Sequence, residues 1–264
     1  MFRNLLHFFA MALIALCCLG ASELSADDIA DAVQILDARN GTIRKWSHTP
    51  EVVIVHDRPV NQQAIDETIE FINDETGLNI GPPKTIDLTD SVLSDRFYRK
   101  STFRPKQLEN GNVEVTVTIA AKEDFAAKGN LIVFMLEAPF ASHMMIASGY
   151  GSGSNALERQ YLRSPSHCFF EIRSNDKSIQ FGRVFISSEL DMKKQASCIY
   201  EELTQTMGLV DDAVGSEVFT YDNTAEDKPR DHDRRLLAAL YDPSVVYGDP
   251  VAKVVVLYAL SAPR

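Results

Sequence analysis

The sequence predicts an α+β domain: a twisted mixed sheet, a central helix and a small helical C-terminal part. Three observations carry this. Short β-branched or alternating runs begin near residues 51, 113, 131, 168 and 180, as strands do. Between and after them, apolar residues spaced three or four apart predict helices at 61–76, 191–208, 231–241 and 250–260. The composition, 45% apolar and 24% charged, supplies a core, and 13 Gly and 11 Pro in 264 residues exclude a low-complexity chain. A net charge of −11 without a local basic patch repels a phosphate backbone, so no nucleic-acid partner is expected.

The first twenty residues, MFRNLLHFFAMALIALCCLG, place one positive charge at Arg3 before an apolar run from Leu5 to Leu19. This is a secretory leader, too short and one-sided for a membrane span. We assign residues 1–26 to the leader, with cleavage between Ala21 and Ala26, and 27–264 to a single exported domain, periplasmic or secreted. A lipidated cysteine at Cys17 or Cys18 and an uncleaved anchor are the alternatives. Of the four cysteines, Cys168 and Cys198 stay in the mature chain. In an oxidising compartment they are most simply one disulfide, worth about 3 kcal/mol, against two buried thiols.

The domain opens with a polar helix at 27–38, then Trp46 and the buried-type strand 51–56 (EVVIVH). Helix 61–76 has Asn61 as N-cap and Gly77 as its stop. The stretch 82–106 lacks a period and reads as loop, with a short helix near Val92. The run 113–119 (VEVTVTI) alternates as a half-buried strand does, and 131–136 (LIVFML) is buried throughout. Residues 138–161 form a Gly- and Ser-rich surface loop whose glycine spacing fits no phosphate-binding pattern. Strands 168–172 and 179–187 follow, and the sheet part of the domain spans about 40–190. Helix 191–208 has no internal Pro or Gly, and the C-terminal part is 209–264.

On helix 191–208, Ala196, Ile199, Leu203 and Met207 share one face, within about 40° of Leu203. Cys198, Glu201 and Gln205 form the opposite stripe. Glu201 and Gln205 stand one helical turn apart and lean toward one point; Gly208 then permits a turn that returns Asp211 toward it. The same stripe could instead be a solvated face, where Glu and Gln usually sit.

Written out, 201–211 is E-E-x-x-Q-x-x-G-L-x-D. It resembles the zincin metallopeptidase pattern H-E-x-x-H-x-x-G-x-x-H/D, two helical ligands, a third after the glycine and a glutamate base. The resemblance implies metal ligands at Glu201, Gln205 and Asp211 and a catalytic base at Glu202, within a zincin-like fold. Both helical histidines are absent, and the segment 216–221 (SEVFTY) lacks the methionine of the family's turn. The later helix, DHDRRLLAALY, resembles the closing helix of many metzincins. The combination C-I-x-E-E-L-x-Q-x-x-G-L-x-x-D at 198–212 with L-Y-D-P at 240–243 more closely resembles a bacterial exported family, domain of unknown function 2927.

An amide and carboxylates are an all-oxygen set, suited to a weakly bound divalent ion such as Ca²⁺, Mg²⁺ or Mn²⁺ rather than to zinc. Three functions are therefore expected: an exported envelope protein with a degenerate metal site, an active metal-dependent peptidase with Glu202 as base, or a non-catalytic module binding a peptide or an envelope protein. His143 and His167 flank the Gly-rich loop and read as solvated residues, with a spare ligand or acid as the alternative, and His232 reads as a surface residue. Trp46 reads as a core anchor. The cleft is expected between helix 191–208 and the chain beyond Asp211.

Overall fold

The sheet at the centre of the protein is made from the most apolar runs of the chain. The computed structural model describes residues 25–36, 41–90, 102–107, 113–118, 128–137, 141, 168–213 and 228–261. In chain order its elements are α1 (Ala26–Ile35), β1 (Val52–His56), α2 (Gln62–Thr76), β2 (Lys84–Asp87), β3 (Thr102–Gln107), β4 (Val113–Thr118), β5 (Leu131–Leu136), β6 (Cys168–Ser174), β7 (Ile179–Ser187), α3 (Met192–Gln205), α4 (Asp231–Leu240) and α5 (Val251–Leu260).

Strand order in the main sheet is β2-β1-β5-β7-β6. The first four run parallel, and β6 returns antiparallel beside β7. This is the mixed sheet that the sequence predicts, with α2 as the crossover that parallel β1 and β2 require. Alternation divides the residues of β1, β5 and β7 between two apolar clusters. Val52, Ile54, Leu131, Val133, Met135, Val184 and Ile186 join the helices in the larger cluster. Val53, Val55, Ile132, Phe134, Leu136 and Phe185 form the smaller one on the other face. Both faces are covered, which is why these runs read as continuously apolar.

One expected strand lies elsewhere. The 113–118 run does not join this sheet but pairs antiparallel with β3 in a separate two-stranded ribbon, with Pro105 opposite Val115. The fifth strand of the main sheet is instead β2, K-T-I-D, within the stretch read as loop. The cause is physical. A strictly alternating strand suits a ribbon with one covered face, whereas an inner strand of this sheet needs apolar residues on both. A four-residue, largely exposed edge strand carries no period to read, and Pro105 lowers the strand signal of β3. The short helix expected near Val92 and most of the Gly-rich loop lie outside the described residues.

The helix boundaries follow their caps. Asn61 accepts from the Ala64 N–H at the start of α2, and Gly77 ends it at φ +66°. Ser25 and Asp28 form a capping box that starts α1. Asp191 accepts from the Lys194 N–H to start α3. Helix α3 lies between β6 and β7 on one side and α2 on the other, while α4 and α5 pack on each other beyond them.

Candidate functional site

Position decides the character of α3. Because sheet and helices enclose it, its two stripes are both buried: Glu201 is 4% exposed, Glu202 5% and Gln205 3%. The solvated-face reading is overturned. A helix apolar on one side and polar on the other normally turns the polar side to water; here that side meets the sheet. Cys198 on α3 is disulfide-bonded to Cys168, the first residue of β6, with Cα atoms 6.0 Å apart. The pairing matches the sequence expectation and clamps the helix to the sheet at the candidate site.

Around that clamp the acids gather. A carboxylate oxygen of Glu201, one of Glu202 and the sulfur of Cys168 all lie within 4.8 Å of one another. Burial, reinforced by the nearby charge of Asp212, pushes the Glu202 carboxyl well above its ordinary range, so the neutral acid is favoured. Its Oε2 is buried with no hydrogen-bond partner among the described residues. Burial also raises Asp212, with a further push from Asp211, and the hydrogen bond from Gln205 works against both. That bond runs from Gln205 Nε2 to Asp212 Oδ1 at 2.7 Å.

The residue that folds back onto Gln205 is thus Asp212. Asp211 has its N–H on the carbonyl of Ile35 at 3.2 Å, and its Oδ1 accepts from the Asp212 N–H at 3.1 Å. Val210 bonds the same Ile35 carbonyl, and Gln34 of α1 donates to the Asp212 carbonyl. The chain after α3 is therefore stitched to the end of α1, which brings Asp212 back to Gln205 of the helix. The sequence carries a signal for Asp212, the last residue of the 198–212 pattern; the zincin spacing pointed one residue earlier.

Gly208 does two jobs in that turn. Its φ is +114°, and a Cβ there would come within 2.0 Å of the Arg44 carbonyl oxygen. The carbonyls at the end of α3 are then satisfied by two residues from far away in sequence. Trp46 Nε1 donates to the Thr206 carbonyl at 2.9 Å, and the Tyr241 hydroxyl donates to that of Met207 at 2.9 Å. Tyr241 also accepts from the Trp46 N–H, and burial raises its pKa. Trp46 is an anchor, as expected, and the L-Y-D-P motif gains a role that sequence did not suggest: it closes the C-terminal end of the site helix.

The zinc set implied by the zincin resemblance does not fit these residues. Carboxylate and amide stand at the helical ligand positions, and the Gln205 amide donates its Nε2–H to Asp212. Zinc favours imidazole and thiolate. We derive no step through a metal at Glu201, Gln205 and Asp211, and Asp211 is outside the group formed by Cys168, Glu201 and Glu202. What the arrangement does offer is a desolvated proton-holding cluster, locked by a disulfide.

His143 and His167 lie outside the described residues. His232 belongs to the α4–α5 contact, its Nδ1 2.5 Å from the Tyr258 hydroxyl, whose pKa burial pushes up to about 12. A cleft of 640 Å³ opens between α4 and α5, lined in part by Asp28, Glu75, Asp231, Arg234, Arg235 and Asp242. No residue of α3 lines it, so this cleft is not the one expected beside Asp211.

Among the described residues no helix is long and apolar enough to cross a membrane. No curated protein and no solved structure matches the chain. A family model described as a protein of unknown function matches residues 27–255 and so takes in the disulfide, the acid cluster and both distant caps of α3. The chain belongs to the DUF2927 family.

Proposed function

We propose that this is an exported envelope protein of zincin-like shape whose helix-borne site has closed into a non-catalytic core, and that it acts by binding a peptide or an envelope protein. The observation that carries this reading is the burial of the whole E-E-x-x-Q set: Glu201, Glu202 and Gln205 are each at most 5% exposed. A hydrolase needs a polarised water beside its base, and here the base position holds a buried acid facing a second carboxyl. The cleft between α4 and α5 is the seat offered to a partner. Its carboxylates outnumber its guanidiniums, and Arg234 is already paired with Glu75 at 2.7 Å, so a basic segment complements it. Export is supported by the leader, and cleavage ahead of Ser25 preserves the capping box of α1.

The purified protein is to be incubated with a peptide library and, in turn, Zn²⁺, Mn²⁺, Ca²⁺ and Mg²⁺, with cleavage read by mass spectrometry. The expected result is no cleavage by the wild type or by Glu202→Gln. Metal-dependent cleavage abolished in Glu202→Gln makes the protein a peptidase and overturns the reading. N-terminal sequencing of the protein from the envelope fraction tests export: a chain beginning at or before Ser25 supports it, and recovery only in the cytoplasm with residue 1 intact refutes it.

A further inference from the structure

The sulfur that lies beside Glu201 and Glu202 is spent in a disulfide. Cys168 Sγ and a carboxylate oxygen from each glutamate lie within 4.8 Å of one another; were Cys168 a thiol, these would be three donor atoms close enough to share one ion. Around a zinc ion, with bonds of about 2.0–2.3 Å, tetrahedral donors sit roughly 3.5 Å apart. The group therefore needs a contraction of about 1 Å, within reach of glutamate side-chain torsions. The donors stand on rigid elements, Cys168 at the start of β6 and both glutamates on α3. Cys198 is three and four residues before the two glutamates and so shares their side of the helix.

A second observation points to a ligand independently. Glu202 is 5% exposed, and its Oε2 is buried without a hydrogen-bond partner among the described residues. A polar atom so placed costs free energy unless something binds it. The disulfide supplies no donor. A cation held between the glutamates and a thiolate would give the buried Glu202 carboxylate a partner and offset that cost.

We infer that the Cys168–Cys198 disulfide masks a metal site, and that its reduction exposes Cys168 as a thiolate which, with Glu201 and Glu202, binds a borderline divalent cation of the zinc class. A dithiol reductant supplies two electrons and two protons. The S–S bond breaks, Cys168 and Cys198 become thiols, and the reductant leaves as its own disulfide. Binding of the ion then displaces the Cys168 thiol proton and any carboxyl proton to solvent. Mixed sulfur and oxygen ligands distinguish this site from the all-oxygen set read from the sequence, and it does not depend on whether the protein cleaves peptides.

The test uses the full chain carrying Cys17→Ser and Cys18→Ser, so that Cys168 and Cys198 are its only cysteines. It is titrated anaerobically with Co²⁺, oxidised and after dithiol reduction, while thiolate-to-cobalt charge-transfer absorption is followed; Zn²⁺ is then used to displace the cobalt. Reduction is expected to tighten binding at least about 100-fold. Cys198→Ser, which leaves Cys168 free, should show the absorption without reductant, and Cys168→Ser should lack it in both states. Glu202→Gln should weaken binding about 10- to 100-fold. Should the cysteine variants not fold, the reduced protein decides alone: zinc bound to the native state raises its Tm, whereas zinc bound to unfolded thiols lowers it. Equal binding before and after reduction, persistence of the absorption in Cys168→Ser, or a Tm that zinc leaves unchanged or lowers would each overturn the inference.

Discussion

Glu67 on α2 gathers three donors: Lys228 Nζ at 2.7 Å, the Tyr200 hydroxyl, and Gln63 Nε2 at 2.8 Å. Led by the Lys228 bond, they hold its carboxyl at about 2, below the ordinary 4.5. A depressed folded-state pKa stabilises above the unfolded value and loses that stability as pH falls toward the folded one. The wild type should therefore exceed Glu67→Gln in stability by about 1 kcal/mol at pH 7, discounted for the partial exposure of the site. The gap should narrow between pH 5 and pH 2; urea titrations at several pH values check this, and a gap constant with pH rejects it. Trp46 is the buried counterpart. Replacing it with Phe removes the Nε1–H bond to Thr206 and leaves a buried carbonyl unmet, for an expected loss of about 1–3 kcal/mol in urea unfolding.

At the scale of elements, α3 depends on how its end is turned and how its middle is tied. Gly208→Ala forces a Cβ against the Arg44 carbonyl at a φ that L-residues avoid, and should cost about 3 kcal/mol or more. Gly77 also has a positive φ, but nothing lies within 4 Å of a Cβ built there. Its Ala variant should lose only about 1 kcal/mol. Thermal melts of the pair compare close approach with backbone strain alone, and equal losses contradict the distinction. Reduction of the disulfide should cost about 3 kcal/mol, through the freedom it returns to the unfolded chain.

For the molecule as a whole, stability rests on a sheet covered on both faces. Phe134 stacks on Phe185 and Phe169 on Phe185, each pair with centroids 5.0 Å apart, in the smaller apolar cluster. Phe134→Ala should therefore cost about 3–5 kcal/mol, read as a shift of the chemical denaturation midpoint, because Phe134 is buried in the smaller of the two apolar clusters. Much of this architecture is legible in sequence, because periodicity, caps and turn residues act over a few positions. Strands β1, β5, β6 and β7, the Asn61 and Gly77 caps, and α3, α4 and α5 were all readable that way. The disulfide was readable from the cysteine count, two cysteines remaining after the apolar N-terminal run. Partnership between distant segments was not. That β2 extends the main sheet while β4 pairs with β3, that Asp212 bonds Gln205, and that Trp46 and Tyr241 close α3 depend on which segments meet across long loops. Burial of the E-E-x-x-Q stripe is the sharpest case. Local pattern assigns glutamate and glutamine to water, and only packing against β6 and the disulfide turns the same residues into a desolvated acid cluster. The chain's own pattern settled what each segment becomes; the tertiary structure settled what surrounds it, since the cost of burying a carboxyl is set by neighbours that no local window contains.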